Sequence, residues 1–161
     1  LIKTYDEFQD EDNFTVLTEL IKQSHDLFEP DELEDLYRGL LNFLARQINI
    51  GIPNSLEKLV NLYDYMLNNS VFNSQGELSP WAFRNAILVG LRIGKFDWVQ
   101  MVLQKYADRL PKDYRDNAIS FNYAQLYFYK KKLLAYQYCQ KKIFDRKKIE
   151  ETEDLDSSTS C

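Results

Sequence analysis

Apolar residues recur at helical spacing along most of the chain, and residues that begin or end helices stand between the apolar runs. Spacings of three and four residues place apolar side chains on one face of an α-helix. Pro30, Pro80 and Pro111 stand at predicted helix starts, and Gly51 and Gly94 stand at predicted helix ends. The pattern predicts seven α-helices, at about 13–28, 30–49, 54–69, 80–94, 96–108, 112–129 and 132–148.

Local patterns predict how several of these helices begin and approach each other. Asn54 and Glu57 have the spacing of a capping box, and Ser79 before a proline is a favoured N-cap. A polar loop that contains Gly76 is expected between the third and fourth helices. Gly90, inside the fourth helix, is expected to admit a close helix neighbour because it has no side chain.

The chain matches itself when it is shifted by 43 residues, over a helix, a glycine turn and a second helix. The matched pairs are Asn42 with Asn85, Leu44 with Ile87, Ile50 with Ile93, Gly51 with Gly94, Leu56 with Val99, Leu59 with Val102, Val60 with Leu103 and Tyr63 with Tyr106. A further shift of 37 residues gives a weaker third copy, in which Lys131 replaces the turn glycine. Leu59 and Val102 are therefore predicted core residues.

Stacked helix pairs follow from this repeat, because one pair cannot bury its apolar face alone. The predicted fold class is all-α, with antiparallel helix pairs stacked as a short α-solenoid. The first helix matches the third at a shift of 39 residues, so it corresponds to the second helix of a pair whose first helix lies upstream. Because the chain also begins at Leu1, we expect residues 1–149 to be a single helical-repeat domain from a longer array.

Composition excludes several classes of protein. The chain has 161 residues, 45% apolar and 14% aromatic, with only 5 Gly and 4 Pro, which is typical of a packed helical domain. No apolar run approaches the roughly 18 residues of a membrane span, and the N-terminus does not have the pattern of a signal peptide. Cys139 and Cys161 do not make a disulfide framework. We therefore expect a cytoplasmic protein without a membrane segment.

Charge is unevenly distributed. Residues 1–80 hold 15 acidic and 5 basic side chains, whereas residues 112–148 hold 10 basic and 3 acidic ones. Residues 150–161 are acidic and rich in Ser and Thr, and we expect them to form a disordered tail. Lysines and aromatics interleave from Tyr123 to Lys148, a mixture that could bind phosphates and stack bases. The alternative is structural, because Tyr123, Tyr127 and Phe128 also have the spacing of core residues.

Motifs for catalysis, metals and cofactors are missing from the sequence. Ser24, His25 and Asp26 are adjacent on a helix and point in different directions, so they cannot form a catalytic triad by themselves. One His and two Cys show no zinc-ligand spacing, and the acidic clusters do not match a calcium loop. No glycine-rich dinucleotide or phosphate motif occurs. The prediction is a protein that is not an enzyme and has no metal and no cofactor.

A family resemblance lies in the last predicted helix pair. The run from Asn122 to Ala135, NYAQLYFYKKKLLA, resembles a tetratricopeptide-like helix-turn-helix, and GLRIGKFDW at 90–98 resembles the same turn one repeat earlier. The resemblance covers about residues 31–148 and implies a solenoid with a concave ligand groove. The period of 37 to 43 residues differs from the family's roughly 34, so HEAT-like pairing stays open. The combination of SPW at 79–81, FDW at 96–98 and RDNA at 115–118 is also similar to uncharacterised large bacterial helical-repeat proteins, which implies no activity.

Asparagine recurs on the first helix of each predicted pair. Asn42, Asn85 and Asn122 lie nine residues before the turn position, where asparagine has a mediocre helix propensity. In the tetratricopeptide-like register this position lines the groove, where an amide could bond a peptide backbone. The alternative is that each Asn bonds the neighbouring repeat. With their flanking groove candidates, the predicted partner-binding residues are Asn42, Arg84, Asn85, Arg92, Asn122, Gln125 and Tyr129.

These observations predict a non-enzymatic interaction or scaffold module that binds a peptide or partner helix on the concave face of an α-solenoid. If Arg84 and Arg92 make the contact, the partner should be acidic. The alternative function is a regulatory repeat protein that contacts nucleic acid through the basic segment 130–148. A structural spacer is a third reading, and the sequence leaves the oligomeric state open.

Overall fold

The computed structural model describes residues 11–74 and 76–158, and in these the prediction of an all-α fold class is confirmed. Two short 3-10 turns, His25–Leu27 and Ala107–Arg109, follow the first and fifth helices. A two-stranded hairpin joins the third helix to the fourth. The helices and strands are α1 (Glu11–Gln23), α2 (Pro30–Asn49), α3 (Ser55–Asn68), β1 (Asn73–Ser74), β2 (Glu77–Leu78), α4 (Pro80–Arg92), α5 (Phe96–Tyr106) and α6 (Lys112–Ser158).

The sixth and seventh predicted helices are one helix, so the prediction of seven helices and of a turn near Lys131 is wrong. Helix α6 runs without a break from Lys112 to Ser158, which leaves six α-helices in the described residues. Its sequence contains neither Gly nor Pro, and its lysines, leucines, alanines and glutamines favour helix. Residues 159–161 lie outside the described chain, and disorder of the tail 150–161 in solution stays a prediction.

Of the two predicted capping patterns, one is confirmed and the other is wrong. The Ser79 side chain accepts a hydrogen bond from the Ala82 backbone N–H at 3.5 Å, which confirms Ser79 as the N-cap of α4. Asn54 precedes α3 but has φ +63° and makes no cap hydrogen bond, so the predicted capping box is wrong. A capping side chain needs an extended backbone, and the left-handed conformation of Asn54 turns its amide away. A capping box forms instead at the start of α2, between Glu29 and Glu32.

The turns contain the glycines that the sequence predicted. Gly51 after α2 and Gly94 after α4 have φ of +80° and +73°, a region that glycine enters without steric cost. The predicted loop around Gly76 is more ordered than expected, because Asn73 pairs with Leu78 in a short antiparallel ladder. Phe72 and Leu78 are buried beside this ladder and anchor the hairpin to the core.

Helix α4 lies at the centre of the packing, because it contacts α3, α5 and α6. Its side chains Phe83, Ala86 and Ile87 are fully buried. Leu59 of α3 and Val102 of α5 belong to the same core, as predicted. The core also contains tyrosines, and burial raises the pKa of the Tyr63 phenol to about 12.

Polar contacts also fix α3 against α5. The Trp98 indole N–H donates to Asp64 Oδ1 at 2.7 Å, and the Tyr106 hydroxyl donates to Asn68 Oδ1 at 2.7 Å. Helix α5 also comes very close to Gly90 of α4. A Cβ placed on Gly90 would lie 2.6 Å from Val99 Cγ2 and 2.9 Å from the Trp98 ring, which confirms the predicted close helix neighbour.

Candidate partner-binding surface

One face of α4 remains open to solvent while the opposite face forms the core. Trp81 is 53% exposed, and the side chains of Arg84 and Arg92 are also exposed. Asn85 and Leu88 are half-buried at the edge of the same face. Spacings of three, four, seven and eleven residues bring all five to one side of the helix. We call these residues the α4 face: Trp81, Arg84, Asn85, Leu88 and Arg92.

Trp81 and Leu88 were not predicted as part of the α4 face, and Trp81 is the more exposed of the two. It occupies the first turn of α4, directly after Pro80. Its ring meets the buried Phe72 ring edge-on, with centroids 6.1 Å apart and an interplanar angle of 87°. This contact holds one edge of the indole while about half of the side chain stays exposed. Spacing could have indicated it, because Trp81 lies three residues before Arg84 on the same helical face.

The two arginines give the α4 face a positive charge. Within the described chain the side chain of neither Arg84 nor Arg92 makes a hydrogen bond or an ion pair, whereas Arg38 pairs with Asp35 at 3.7 Å. The two guanidinium groups start from positions about 12 Å apart along the helix axis. Each guanidinium can bind a carboxylate through two parallel hydrogen bonds. The α4 face therefore combines an anchored aromatic ring with two cations available to a partner.

The three recurring asparagines lie in three different environments. Asn42 is exposed on α2, and Asn85 is half-buried on the α4 face. Asn122 is 2% exposed on α6, where its Nδ2 donates to the Ala118 carbonyl one turn earlier at 2.8 Å. Asn122 therefore lies in the core, and its Nδ2 group donates within its own helix. The three asparagine side chains do not form one polar row.

Gln125 and Tyr129 are half-buried on α6. Lys130 Nζ donates to Gln100 Oε1 of α5 at 3.3 Å, so the flank of α6 that carries Lys130 faces α5. Gln125 lies on the opposite flank and therefore on the side of α4, which α6 also contacts. Gln125 Oε1 is buried and accepts no hydrogen bond within the described residues.

Helix α6 exposes more aromatic side chains than any other helix in the described residues. Tyr127 and Phe128 are 69% and 65% exposed, so their assignment to the core by spacing is wrong. The core side of α6 is taken instead by Asn122 and Leu126, each 2% exposed. The described side chains from 131 to 141 are all exposed. Helix α6 therefore continues past the other helices with apolar side chains in solvent, namely Leu133, Leu134, Tyr136 and Tyr138.

The described residues show little that suits a small ligand or a metal. A cleft of about 220 Å³ lies between α1 and α3, and it is lined by Phe14, Thr15, Thr18, Glu19, Lys22, Lys58, Asn61 and Leu62. Sites for drug-sized ligands measure about 300–1,000 Å³. In the same part of the chain, no three His, Cys, Asp or Glu side chains group as metal ligands, and no helix has the length and apolar character to cross a membrane.

Comparison with known proteins gave no relative: no family model matches the chain, and neither a curated protein nor a solved structure matches it. The resemblance to tetratricopeptide-like proteins therefore rests on the motifs of this chain.

Proposed function

We propose that this chain is a non-enzymatic interaction module of the cytoplasm that binds an acidic peptide or partner helix across the α4 face. The observation that carries the proposal is the exposed, anchored Trp81 on the same face as two arginines without an ion pair. Tryptophan and arginine are enriched among the residues that dominate binding energy at interfaces. The ring supplies apolar contact area, and the guanidinium groups select carboxylates.

The helix contacts support an α-solenoid of stacked pairs as the frame of this surface. Each helix from α1 to α5 contacts the next helix along the chain, and α4 also contacts α6. Trp98 of α5 bonds Asp64 of α3, and Lys22 of α1 lies over the Tyr65 ring of α3. Contacts to the next helix and the next but one are typical of stacked helix pairs. In such a stack α2, α4 and α6 form one layer, which carries Asn42, the α4 face and Gln125.

A library of random peptides displayed on phage, panned on the wild-type chain, tests this proposal. We expect the recovered peptides to combine Asp or Glu with apolar residues and to bind less tightly as salt rises. The double variant R84E/R92E should weaken them at least about tenfold, because each lost ion pair is replaced by repulsion. Titration of a fluorescent synthetic copy of a recovered peptide measures the effect.

Control variants separate the α4 face from net charge. The double variant K112E/K141E changes the net charge equally at two exposed lysines outside this face and should keep the affinity. The variant W81A should weaken the same peptides without a change in helical circular dichroism. Peptides without acidic residues, or equal binding to wild type and R84E/R92E, would contradict the proposal.

Nucleic acid is the second candidate partner, through the segment 130–148. The observation in its favour is that Lys131 and Lys132 are exposed about one turn after the exposed rings of Tyr127 and Phe128, with Lys141 exposed farther along the same helix. Such a mixture can neutralise phosphates and stack bases. The acidic first half of the chain acts against it, since it repels the same ligand.

Fluorescence anisotropy with a labelled oligouridylate and a DNA duplex at low salt tests this second candidate. If the segment binds nucleic acid, the triple variant K131E/K132E/K141E should abolish binding while R84E/R92E retains it. The affinity of the wild type should also fall steeply with salt. Wild-type chain that binds neither probe at low salt would remove nucleic acid from consideration.

A further inference from the structure

Helices α1 and α6 stand at the two ends of the helix series, and each exposes apolar side chains. On α1 and the turn that follows it, Val16, Leu20 and Leu27 are 59%, 53% and 83% exposed. Val16 and Leu20 are four residues apart on one side of α1, away from the buried Phe14 and Ile21, and Leu27 lies in the 3-10 turn beyond the end of the helix. We call Val16, Leu20 and Leu27 the α1 stripe.

A second apolar row runs along α6. Tyr114, Phe121 and Phe128 follow one another at intervals of seven residues, or about two helical turns, and are 59%, 53% and 65% exposed. We call them the α6 stripe. Apolar residues at seven-residue intervals are the pattern with which helices pack lengthwise against each other. The α6 stripe extends over roughly 21 Å at 1.5 Å per residue, and the α1 stripe covers roughly 6 Å of helix before the 3-10 turn that carries Leu27.

The charges around the two stripes are opposite. Among the described side chains, residues 13–35 carry seven acidic and one basic group, whereas residues 112–141 carry six basic and two acidic ones. Exposed Asp26 adjoins the α1 stripe, and exposed Lys131 and Lys132 follow Phe128 by three and four residues at the end of the α6 stripe. Two α1 surfaces repel each other, as do two basic α6 surfaces, but an α1 surface attracts an α6 surface.

We propose that a second copy of this chain docks head to tail, with the α1 stripe of one copy on the α6 stripe of the next. Both surfaces are present on every copy, and the charge pattern favours the unlike pair over either symmetric pair. Each added copy leaves one stripe of each kind open, so association continues as protein concentration rises unless a ring closes. The contact uses none of the residues of the α4 face, and it goes beyond the proposed binding of an acidic peptide.

Sedimentation velocity of the wild-type chain over a range of concentrations is the first test. We expect the weight-average mass to rise with concentration at low salt and to return towards that of a monomer at high salt. The charge variant K131E/K132E, which leaves the apolar stripes intact, should shift this rise to higher concentration. A wild-type chain that stays monomeric at low salt up to its solubility limit would overturn the proposal.

Mixing two blocked variants tests the head-to-tail geometry itself. V16D/L20D keeps only the α6 stripe, and F121D/F128D keeps only the α1 stripe. Each should be monomeric alone, and an equimolar mixture should double in mass because one intact stripe of each kind remains. Dimers of V16D/L20D alone would show symmetric pairing of α6, and a mixture that stays monomeric while the wild type associates would also contradict the head-to-tail contact.

Two controls accompany the mixing experiment. All four substituted side chains are more than half exposed, and equal helical circular dichroism confirms that the variants fold. The variant W81A should associate like the wild type. Because the peptide test uses R84E/R92E and this test uses the two stripes, either proposal can fail while the other stands.

Discussion

Replacing Phe83 with alanine should lower the free energy of unfolding by about 3–5 kcal/mol. The Phe83 side chain is fully buried, and its helix, α4, contacts α3, α5 and α6. Removal of the ring leaves a cavity, and the neighbouring helices would have to move together to fill it. Urea unfolding followed by circular dichroism at 222 nm measures the change, provided that the transition remains two-state.

The matched control for Phe83 lies two residues away on the other side of the same helix. Trp81 is 53% exposed, and W81A should change the free energy of unfolding far less than F83A. A similar loss from both variants would mean that α4 does not divide into a core face and a solvent face. The same W81A variant should lose peptide binding, so stability and binding separate at neighbouring positions of one helix.

Gly90 to alanine should destabilise the fold by about 1–3 kcal/mol, although alanine is the better helix former by about 1 kcal/mol. The added Cβ would meet Val99 Cγ2 at 2.6 Å and the Trp98 ring at 2.9 Å. Neither neighbour can give way easily, because Val99 is fully buried and the Trp98 indole is hydrogen-bonded to Asp64. The clash therefore outweighs the gain in helix propensity.

Gly39 provides the matched control, and the effect expected there has the opposite sign. It lies inside α2, and a Cβ there would meet nothing within 4 Å. Gly39 to alanine should therefore stabilise the chain by roughly 0.5–1 kcal/mol, through helix propensity alone. Urea unfolding of both variants measures the pair. Stabilisation by both substitutions would show that α4 and α5 are not in close contact at Gly90.

The candidate surface was predictable only in part. Arg84, Asn85 and Arg92 were predicted from the sequence, and they share the open face of α4 because helical spacing brings them together. Equal repeat position did not give Asn42, Asn85 and Asn122 equal surroundings. Burial depends on which helices approach each position, and the side of α6 that carries Asn122 packs against both α4 and α5.

The sequence by itself determined the features that depend on local backbone conformation. Proline fixes φ at a helix start and glycine permits positive φ at a helix end, so the start of α2 at Pro30 and the turns at Gly51 and Gly94 were predicted correctly. The core positions of Leu59 and Val102 followed from apolar periodicity in the same way.

Tertiary structure decided which apolar residues stay in solvent. Tyr127 and Phe128 have core-like spacing, but the core side of α6 is already filled by its contacts with α4 and α5. The expected turn at Lys131 competes with strong local helix propensity, and α6 continues as one helix. Apolar periodicity indicates that a helix has an apolar face. How much of that face is covered depends on packing against neighbouring helices, because burial is a property of the assembled surfaces.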